Sequence, residues 1–313
     1  MPSNPEVILR RLEWTIIRRL DGLLNGNYRS LFRGFGLDFA DLREYQVNDD
    51  VRHMDWNVTA RMQAPYVREY NEDREVTAWF LLDLSPSVYF GSKSVKKLMV
   101  LIDFIGVFAR ILTRHGNRTG VLLYSGGVEG VIRPRGGRKH VLHILNRLLT
   151  RPENSTTQTT DLSNFIVTAR QIIKQRSLVF LVSDFISLPG WSGPLTQLAQ
   201  RHELVAVRLY DALEMDLPDL GFIVMQDSET GEQMLVDTHD KKFRTRFAAV
   251  AQTKEIELRN ALISAGVDTL ELSTTDNLIE SIIRFVELRK LQSQRKGSGS
   301  LKKMEACHDL SMA

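Results

Sequence analysis

From residue 76 onward, short runs of apolar residues alternate with longer segments in which apolar residues recur every three or four positions. The short runs are typical of strands buried on both faces, and the longer segments are typical of helices that cover a sheet. The predicted strands lie at 76–83, 118–124, 128–133, 178–183, 203–210 and 267–272. The predicted helices lie at 94–115, 138–150, 162–176, 191–201, 241–265 and 277–292. This alternation predicts an α/β fold with a mostly parallel, doubly wound sheet, in which the strand at 128–133 is an antiparallel edge.

The main domain is predicted to span residues 76–290 and to contain one insertion. Short apolar runs on either side of a glycine turn predict a β-hairpin at about 220–238. Two segments precede the domain: an N-terminal helix within residues 1–29 and a lead-in over residues 30–75. The final segment, 291–313, is poor in apolar residues and rich in Gly, Ser and Lys, so we predict a disordered tail.

The N-terminal segment predicts an amphipathic helix over residues 5–25. One stripe of that helix carries five apolar side chains: Ile8, Leu12, Ile16, Leu20 and Leu23. Its arginines fall mostly away from the stripe, so a basic helix that touches a membrane surface or a partner is one hypothesis. We favour the other hypothesis, a helix packed on the domain, because charged runs are usually solvated faces.

The lead-in mixes aromatic residues, arginines and aspartates without a clear period, although residues 66–70 alternate as a short strand would. Its densest polar cluster is compatible with catalysis. An irregular segment must also satisfy its backbone polar groups without a β-ladder, so we favour a supporting network of ion pairs and hydrogen bonds. The cluster consists of Asp49, Asp50, Arg52, His53, Asp55 and Trp56.

The composition of the 313 residues is ordinary for a globular protein, with 43% apolar and 25% charged residues. The formal net charge of +3 is too small to argue for nucleic-acid binding, and we expect none. The single cysteine, Cys307, excludes an internal disulfide and a cysteine-based zinc cluster. Charges interrupt every apolar run before it reaches the length of a signal peptide or a membrane span, so we expect a cytoplasmic protein.

Polar side chains follow two of the predicted buried strands. Asp83 ends the first of these strands and is followed by Ser85 and Ser87, while Asp184 follows the strand at 178–183. Thr160 stands at the start of a predicted helix. Because open α/β sheets place their sites at the carboxyl ends of the strands, we expect these five side chains to converge.

Five oxygen ligands, of which only two are anionic, suit a hard cation such as Mg²⁺ or Mn²⁺. Serine and threonine hydroxyls are neutral, so a metal held in this way stays electrophilic and is able to accept a carboxylate from a partner.

Each of the five proposed ligands also has a purely structural interpretation. The two serines would cap a helix, Thr160 would be an N-cap, and Asp184 would be a turn acid. Asp161 is interpreted as a residue that orients the loop or as a first-turn acid favoured by the helix dipole.

An enzyme is the competing class of function. Asp83, Asp161 and Asp184 would then form an acidic cluster for metal-assisted phosphoester hydrolysis. A phospho-aspartyl mechanism is disfavoured because Ser85 stands where a general-acid aspartate is needed. The chain has no glycine-rich phosphate loop with a lysine, so we do not expect it to hydrolyse ATP. We therefore expect a protein that is not an enzyme.

The D-x-S-x-S string from Asp83 to Ser87, the later Thr160 and the strand-end Asp184 resemble the metal-ion-dependent adhesion site of von Willebrand factor A-type domains. The resemblance covers roughly residues 76–290. It implies a magnesium-dependent site for protein–protein contact rather than catalysis.

The lead-in carries a long set of spaced residues: Gly34, Gly36, Asp38, Phe39, Asp41, Arg43, Tyr45, Asp49, Asp50, Arg52, Asp55, Trp56, Thr59 and Arg61. This set resembles the signature of the bacterial and archaeal family catalogued as domain of unknown function 58. Two positions depart from that family's usual pattern: Asn48 in the lead-in, where glycine is common, and Val88 after Ser87, where methionine is common.

This second resemblance implies an adaptor that acts with a MoxR-type AAA+ ATPase in chaperone-like protein maturation or complex assembly, on an unidentified client protein. From the network of ion pairs and hydrogen bonds expected in the lead-in, we predict that part of it supports the site without contacting the metal. That supporting set is Asp50, Arg52, Asp55, Trp56 and Arg61.

Overall fold

The structure is a computed structural model that describes residues 4–23, 41–46, 54, 56, 59, 64–69, 76–92, 95–152, 159–227 and 231–289. Four of the predicted supporting residues therefore lie outside the described residues: Asp50, Arg52, Asp55 and Arg61. The predicted disordered tail also lies outside them.

The described strands form one large sheet and two small hairpins. Their bounds are β1 Asp41–Glu44, β2 Tyr66–Glu69, β3 Thr77–Asp83, β4 Arg118–Tyr124, β5 Val128–Arg135, β6 Leu178–Ser183, β7 Glu203–Tyr210, β8 Phe222–Gln226, β9 Gln233–Asp237 and β10 Asp268–Ser273. The large sheet has the order β10-β7-β6-β3-β4-β5 and is parallel except for β5, which pairs antiparallel with β4 at the edge. This arrangement confirms the predicted α/β fold with a mostly parallel sheet.

Helices cover both faces of the large sheet. Their bounds are α1 Pro5–Leu12, α2 Arg18–Leu23, α3 Lys97–Arg114, α4 Arg138–Leu149, α5 Leu162–Ile172, α6 Ser192–Arg201, α7 Ala212–Met215, α8 Lys241–Ser264 and α9 278–289. One core lies between the sheet and α1 to α4 with α9, and the other lies under α5, α6 and the end of α8. In the described part of the chain, every helix is too short or too polar to cross a bilayer.

The continuous apolar runs of the central strands follow from this two-sided burial. Along β3, Phe80 and Leu82 enter the first core, while Trp79 and Leu81 enter the second. A strand whose two faces are both covered needs apolar residues at every position, because successive side chains point to opposite faces. The run ends at Asp83, where the strand reaches the edge of the core.

The N-terminal helix packs into the first core, as the packing hypothesis expected. Leu12 and Leu20 are fully buried there, and a Cβ atom on Gly106 of α3 would lie 2.6 Å from Leu12 Cδ1. Between α1 and α2, residues Glu13–Ile17 form a π-helical turn. The wider turn changes which side chains face the core, so Ile17 is buried and Ile16, predicted on the stripe, is only partly buried.

Most of the predicted bounds are matched within a few residues, and the differences have local causes. β1, which pairs antiparallel with β2, lies in the lead-in that we predicted to be irregular. Helix α5 ends at Ile172, four residues before the predicted end, because Ile173 adopts an extended conformation and enters the core. The inserted hairpin of β8 and β9 has the predicted strands.

His202, between α6 and β7, is a buried titratable group that lowers stability in acid. It is 3% exposed, and neither ring nitrogen has a hydrogen-bond partner in the described part of the chain. Burial, with a smaller contribution from the neighbouring Arg201 charge, lowers the pKa of His202. The stability that a neutral His202 provides is therefore present above the unfolded pKa of about 6.5 and is lost as the pH falls through the lower folded pKa.

We expect the melting temperature of the wild type to fall more steeply between pH 7 and pH 5 than that of a His202→Phe variant. At pH values below the folded pKa of His202, the protein has lost about 1.4 kcal/mol of stability for each unit by which folding lowers that pKa. The matched control is His143→Gln, since His143 is exposed on α4. Parallel pH profiles for wild type and His202→Phe would contradict this account.

Candidate functional site

β3, which ends at Asp83, and β6, which is followed by Asp184, are neighbours in the middle of the sheet. β3 pairs in parallel with β6, and Leu82 lies opposite Val182. The next positions, Asp83 and Ser183, are therefore at the same level of the carboxyl edge. The register thus brings Asp83 and Asp184 to one place, as the sequence predicted.

The carboxylate of Asp83 is surrounded by donors from both strands. Its Oδ1 accepts a hydrogen bond from Ser85 N at 3.0 Å, and its Oδ2 accepts one from Ser183 Oγ at 2.6 Å. After β3 the chain enters a 3₁₀ turn over Pro86–Tyr89, which brings Ser87 Oγ to 3.0 Å from Ser85 Oγ. All four of these polar side chains are buried. A carboxylate and a pair of hydroxyls therefore lie together at the strand end.

Charge on Asp83 is unfavourable in this environment. Burial, followed by the nearby Asp184, raises the pKa of Asp83 to about 7, although the hydrogen bonds from Ser183 and Ser85 oppose that shift. A bound cation would reverse the effect by favouring the ionised form. The raised pKa is thus a physical reason to consider this carboxylate as a ligand, since such perturbations cluster at functional sites.

The carboxylate of Asp184 is held by a lysine that the sequence did not single out. Asp184 Oδ1 accepts a hydrogen bond from Ile186 N at 3.1 Å, and Oδ2 lies 2.7 Å from Lys97 Nζ. The same ammonium lies 2.6 Å from Glu214 Oε1. Lys97 is completely buried, and although burial opposes its charge, Asp184 and Glu214 together raise its pKa.

The turn after β6 has a strained backbone. Phe185 has φ of +61°, the one positive φ at a non-glycine residue in the part of the chain that the structure describes. Its amide donates to Ser183 Oγ at 2.9 Å, and its ring packs 5.5 Å from that of Trp191. A large residue keeps a left-handed backbone conformation only where contacts with its surroundings hold it in place. Backbone strain of this kind is frequent at functional sites.

Thr160 lies in the loop before α5 and is buried. Its carbonyl accepts a hydrogen bond from Leu188 N at 2.9 Å, which ties this loop to the turn after Asp184. The cap of α5 is Asp161, whose Oδ1 accepts from Asn164 N at 3.0 Å. The alternative of Thr160 as the N-cap is therefore wrong, and Asp161 has that role.

The predicted ligands thus come from elements that meet at one edge of the sheet. Of the predicted supporting residues, Trp56 is the one that the structure describes, and it is 67% exposed. Within the described ranges, no group of three or more His, Cys, Asp or Glu side chains is arranged to hold a metal. A cation at the strand ends would therefore rely on hydroxyl oxygens beside the two carboxylates. The buried hydroxyl pair and the raised pKa of Asp83 fit that requirement.

Comparisons with known proteins identify relatives over most of the chain. A family model described as Protein of unknown function DUF58 matches residues 41–257. Uncharacterized proteins of Mycobacterium bovis and Mycobacterium tuberculosis are each 33% identical over 282 residues, which is 90% of this chain and 89% of the relative.

Two solved structures are similar to the chain at low identity. An aerotolerance-related membrane protein from Bacteroides fragilis is 10% identical, with a TM-score of 0.45, and covers 69% of this chain and 98% of its own. The conserved hypothetical protein BatB from Bacteroides thetaiotaomicron is 12% identical, with a TM-score of 0.39 and the same coverage.

Proposed function

The chain belongs to the family described as Protein of unknown function DUF58, and from that premise we propose that it is a non-enzymatic, metal-dependent protein-binding module with a von Willebrand factor A-like main domain. One observation carries the proposal. The buried Asp83 carboxylate lies at the carboxyl edge of the sheet with the hydroxyls of Ser85 and Ser87, beside β6, which Asp184 follows directly.

The cation of this proposal is Mg²⁺ or Mn²⁺, since both prefer oxygen ligands. Asp83, Ser85 and Ser87 would hold it, with Thr160 and Asp184 completing the set. Bound there, the metal would supply an electrophilic position for a carboxylate of the partner. The chain itself would contribute buried oxygen ligands whose positions are fixed by the 3₁₀ turn and by the register of β3 with β6.

Apolar side chains around the strand ends support protein contact as the role of this edge. Phe90, which follows the 3₁₀ turn, is 38% exposed, while Ile186 and Leu188, which follow Asp184, are 45% and 47% exposed. Exposed apolar side chains that lie close together are typical of protein-binding surfaces, whose buried centre is more apolar than the rest of the protein surface. Family resemblance in the lead-in favours a MoxR-type AAA+ ATPase as the partner, together with a client protein.

The hydrolase alternative is less well supported. It needs Asp161 as a third carboxylate, but the side chain of that residue accepts the Asn164 amide as the N-cap of α5. The pairing of Asp184 with the Lys97 ammonium does not distinguish the two functions, because each of them places a metal at Asp184. The N-cap role of Asp161 is therefore the contact that counts against a cluster of three carboxylates.

A Ser85→Ala, Ser87→Ala double variant tests the proposal. We expect Mg²⁺ affinity, measured by titration calorimetry, to fall by about 10–100-fold because two neutral ligands are lost while the carboxylates remain. Magnesium-dependent capture of a MoxR-type AAA+ ATPase should fall in parallel.

The matched control is Thr253→Ala with Ser264→Ala, two exposed hydroxyls on α8. The proposal fails if capture of the ATPase persists both in the double variant and in the presence of a chelator.

A further inference from the structure

Lys97 gives the strand-end site a cation of its own. Its ammonium lies 2.7 Å from Asp184 Oδ2 and 2.6 Å from Glu214 Oε1, and the side chain is 0% exposed. Lysine is rarely buried to this extent unless paired, and here it is paired twice. The site thus balances part of its negative charge with a side chain.

The second acceptor of the ammonium belongs to a different loop of the sheet edge. Glu214 lies in α7, directly after β7, and its Oε2 accepts a hydrogen bond from Asp211 N at 3.0 Å. Asp211 in turn accepts from Ser92 N at 3.0 Å and from Thr274 Oγ1 at 2.5 Å. Lys97 therefore connects the end of β6 to loops that follow β3, β7 and β10.

Two cations at Asp184 would repel each other strongly, because a water-excluded site screens charge poorly. The ammonium is tethered to α3 and has few alternative positions. Glu214 offers one, since its side chain is 25% exposed and already accepts the ammonium. Moving towards Glu214 would let the ammonium leave Asp184 while staying paired.

We propose that Lys97 is a positioning residue that competes with a divalent cation for Asp184, and that Glu214 is the acceptor that retains the ammonium when the divalent cation binds. This inference rests on the proposed metal-dependent function. It adds a regulatory element to it: occupancy of the strand-end site moves the Lys97 ammonium from a position shared by Asp184 and Glu214 to one paired with Glu214 of α7 alone.

The test compares two variants whose Mg²⁺ affinities should change in opposite directions. Lys97→Met removes the competitor, so we expect Mg²⁺ to bind about 10-fold tighter or more, whereas Glu214→Gln removes the retaining acceptor and should weaken binding by about 10-fold. Both constants are measured by titration calorimetry with Mg²⁺ alone. A purely structural role for the ion pairs would weaken binding in both variants.

Arg289→Met is the matched control, because Arg289 likewise bridges two carboxylates, of Glu203 and Asp268, but at the amino ends of β7 and β10. Circular dichroism verifies that each variant is folded. Should Lys97→Met fail to fold, Glu214→Gln alone decides, and unchanged or tighter Mg²⁺ binding by that variant overturns the inference.

The outcomes also separate this inference from the proposed function. If the wild type binds Mg²⁺ and Lys97→Met binds it equally or more weakly, the inference is overturned and the proposed function stands. If Lys97→Met binds Mg²⁺ and the wild type does not, the competition is supported while metal dependence of the native protein fails. If neither binds Mg²⁺, both fail.

Discussion

An Asp83→Asn protein is expected to remain folded and to lose more than about 100-fold in Mg²⁺ affinity, since it lacks the central anionic ligand of the proposed site. Asparagine keeps the size and shape of the side chain. Its carbonyl oxygen is able to accept the Ser85 amide, as Asp83 Oδ1 does at 3.0 Å. Loss of binding would then report the missing charge rather than a cavity. Titration calorimetry measures the affinity, and unchanged binding would contradict the assignment of Asp83 as a ligand.

Without divalent cations, the wild type and Asp83→Asn should also differ in how their stability depends on pH. The pKa of Asp83 is raised to about 7 by burial and by Asp184, above the value of about 3.9 for an unfolded aspartate. A raised folded pKa means that the stabilising contribution is complete below the unfolded pKa and is lost as the pH rises through about 7. With a chelator present, the wild type should therefore lose stability relative to Asp83→Asn between about pH 4 and pH 7.

Denaturant unfolding at pH 5 and pH 8 measures this difference. The control is Glu287→Gln, an exposed carboxyl on α9 whose replacement should leave the pH profile of the wild type unchanged. Added Mg²⁺ should raise the stability of the wild type at pH 8 and leave that of Asp83→Asn unchanged, because a ligand that binds only the folded state stabilises it.

Phe180→Ala should be the most destabilising single substitution in the core, at about 3–5 kcal/mol. Phe180 lies on β6 in the centre of the sheet, with its ring centroid 5.2 Å from Phe80, 5.8 Å from Phe104 and 5.3 Å from Phe108. Removal of the ring leaves a cavity between a strand and α3 that these large neighbours cannot fill. The attraction between the aromatic rings disappears as well, which adds to the free energy that the loss of buried apolar surface costs.

Chemical denaturation with a far-ultraviolet signal measures the loss. Phe222→Ala on the inserted hairpin is the matched control, because the Phe222 ring is 70% exposed and its removal should change stability by less than about 0.5 kcal/mol. A loss below about 1 kcal/mol for Phe180→Ala would mean that the first core repacks around the gap.

Strands were predicted better than any other feature. β4, β6 and β7 have the predicted bounds because each is an apolar run that stops at polar residues on both sides. β1 and α7 were missed, since β1 contains a single apolar residue, Leu42, and α7 is only about one turn long. The π-helical turn was also missed, because its stability depends on how α1 and α2 pack and not on a local signal.

The sequence revealed the acids of the candidate site but not the lysine that pairs with one of them. Asp83 and Asp184 are visible in the sequence because each follows a buried strand, and the sheet register brings them together. Lys97 stands beside another lysine at the start of a helix, a pattern typical of a solvated helix end. Its pairing with Glu214, 117 residues later, arises only from the tertiary fold. Long-range ion pairs of this kind leave no periodic signal.

The strand order has a consequence for the order of synthesis. β3 lies between β4, which follows it closely in the chain, and β6, whose Ser183 is 100 residues away from Asp83. While the chain is still emerging from the ribosome, β3, β4 and β5 are available long before β6 is complete. Asp83 then lies at an open strand edge without its Ser183 donor, and the edge is exposed to wrong pairings. A nascent chain therefore does not assemble the candidate site until Asp184 has been translated and β6 has docked.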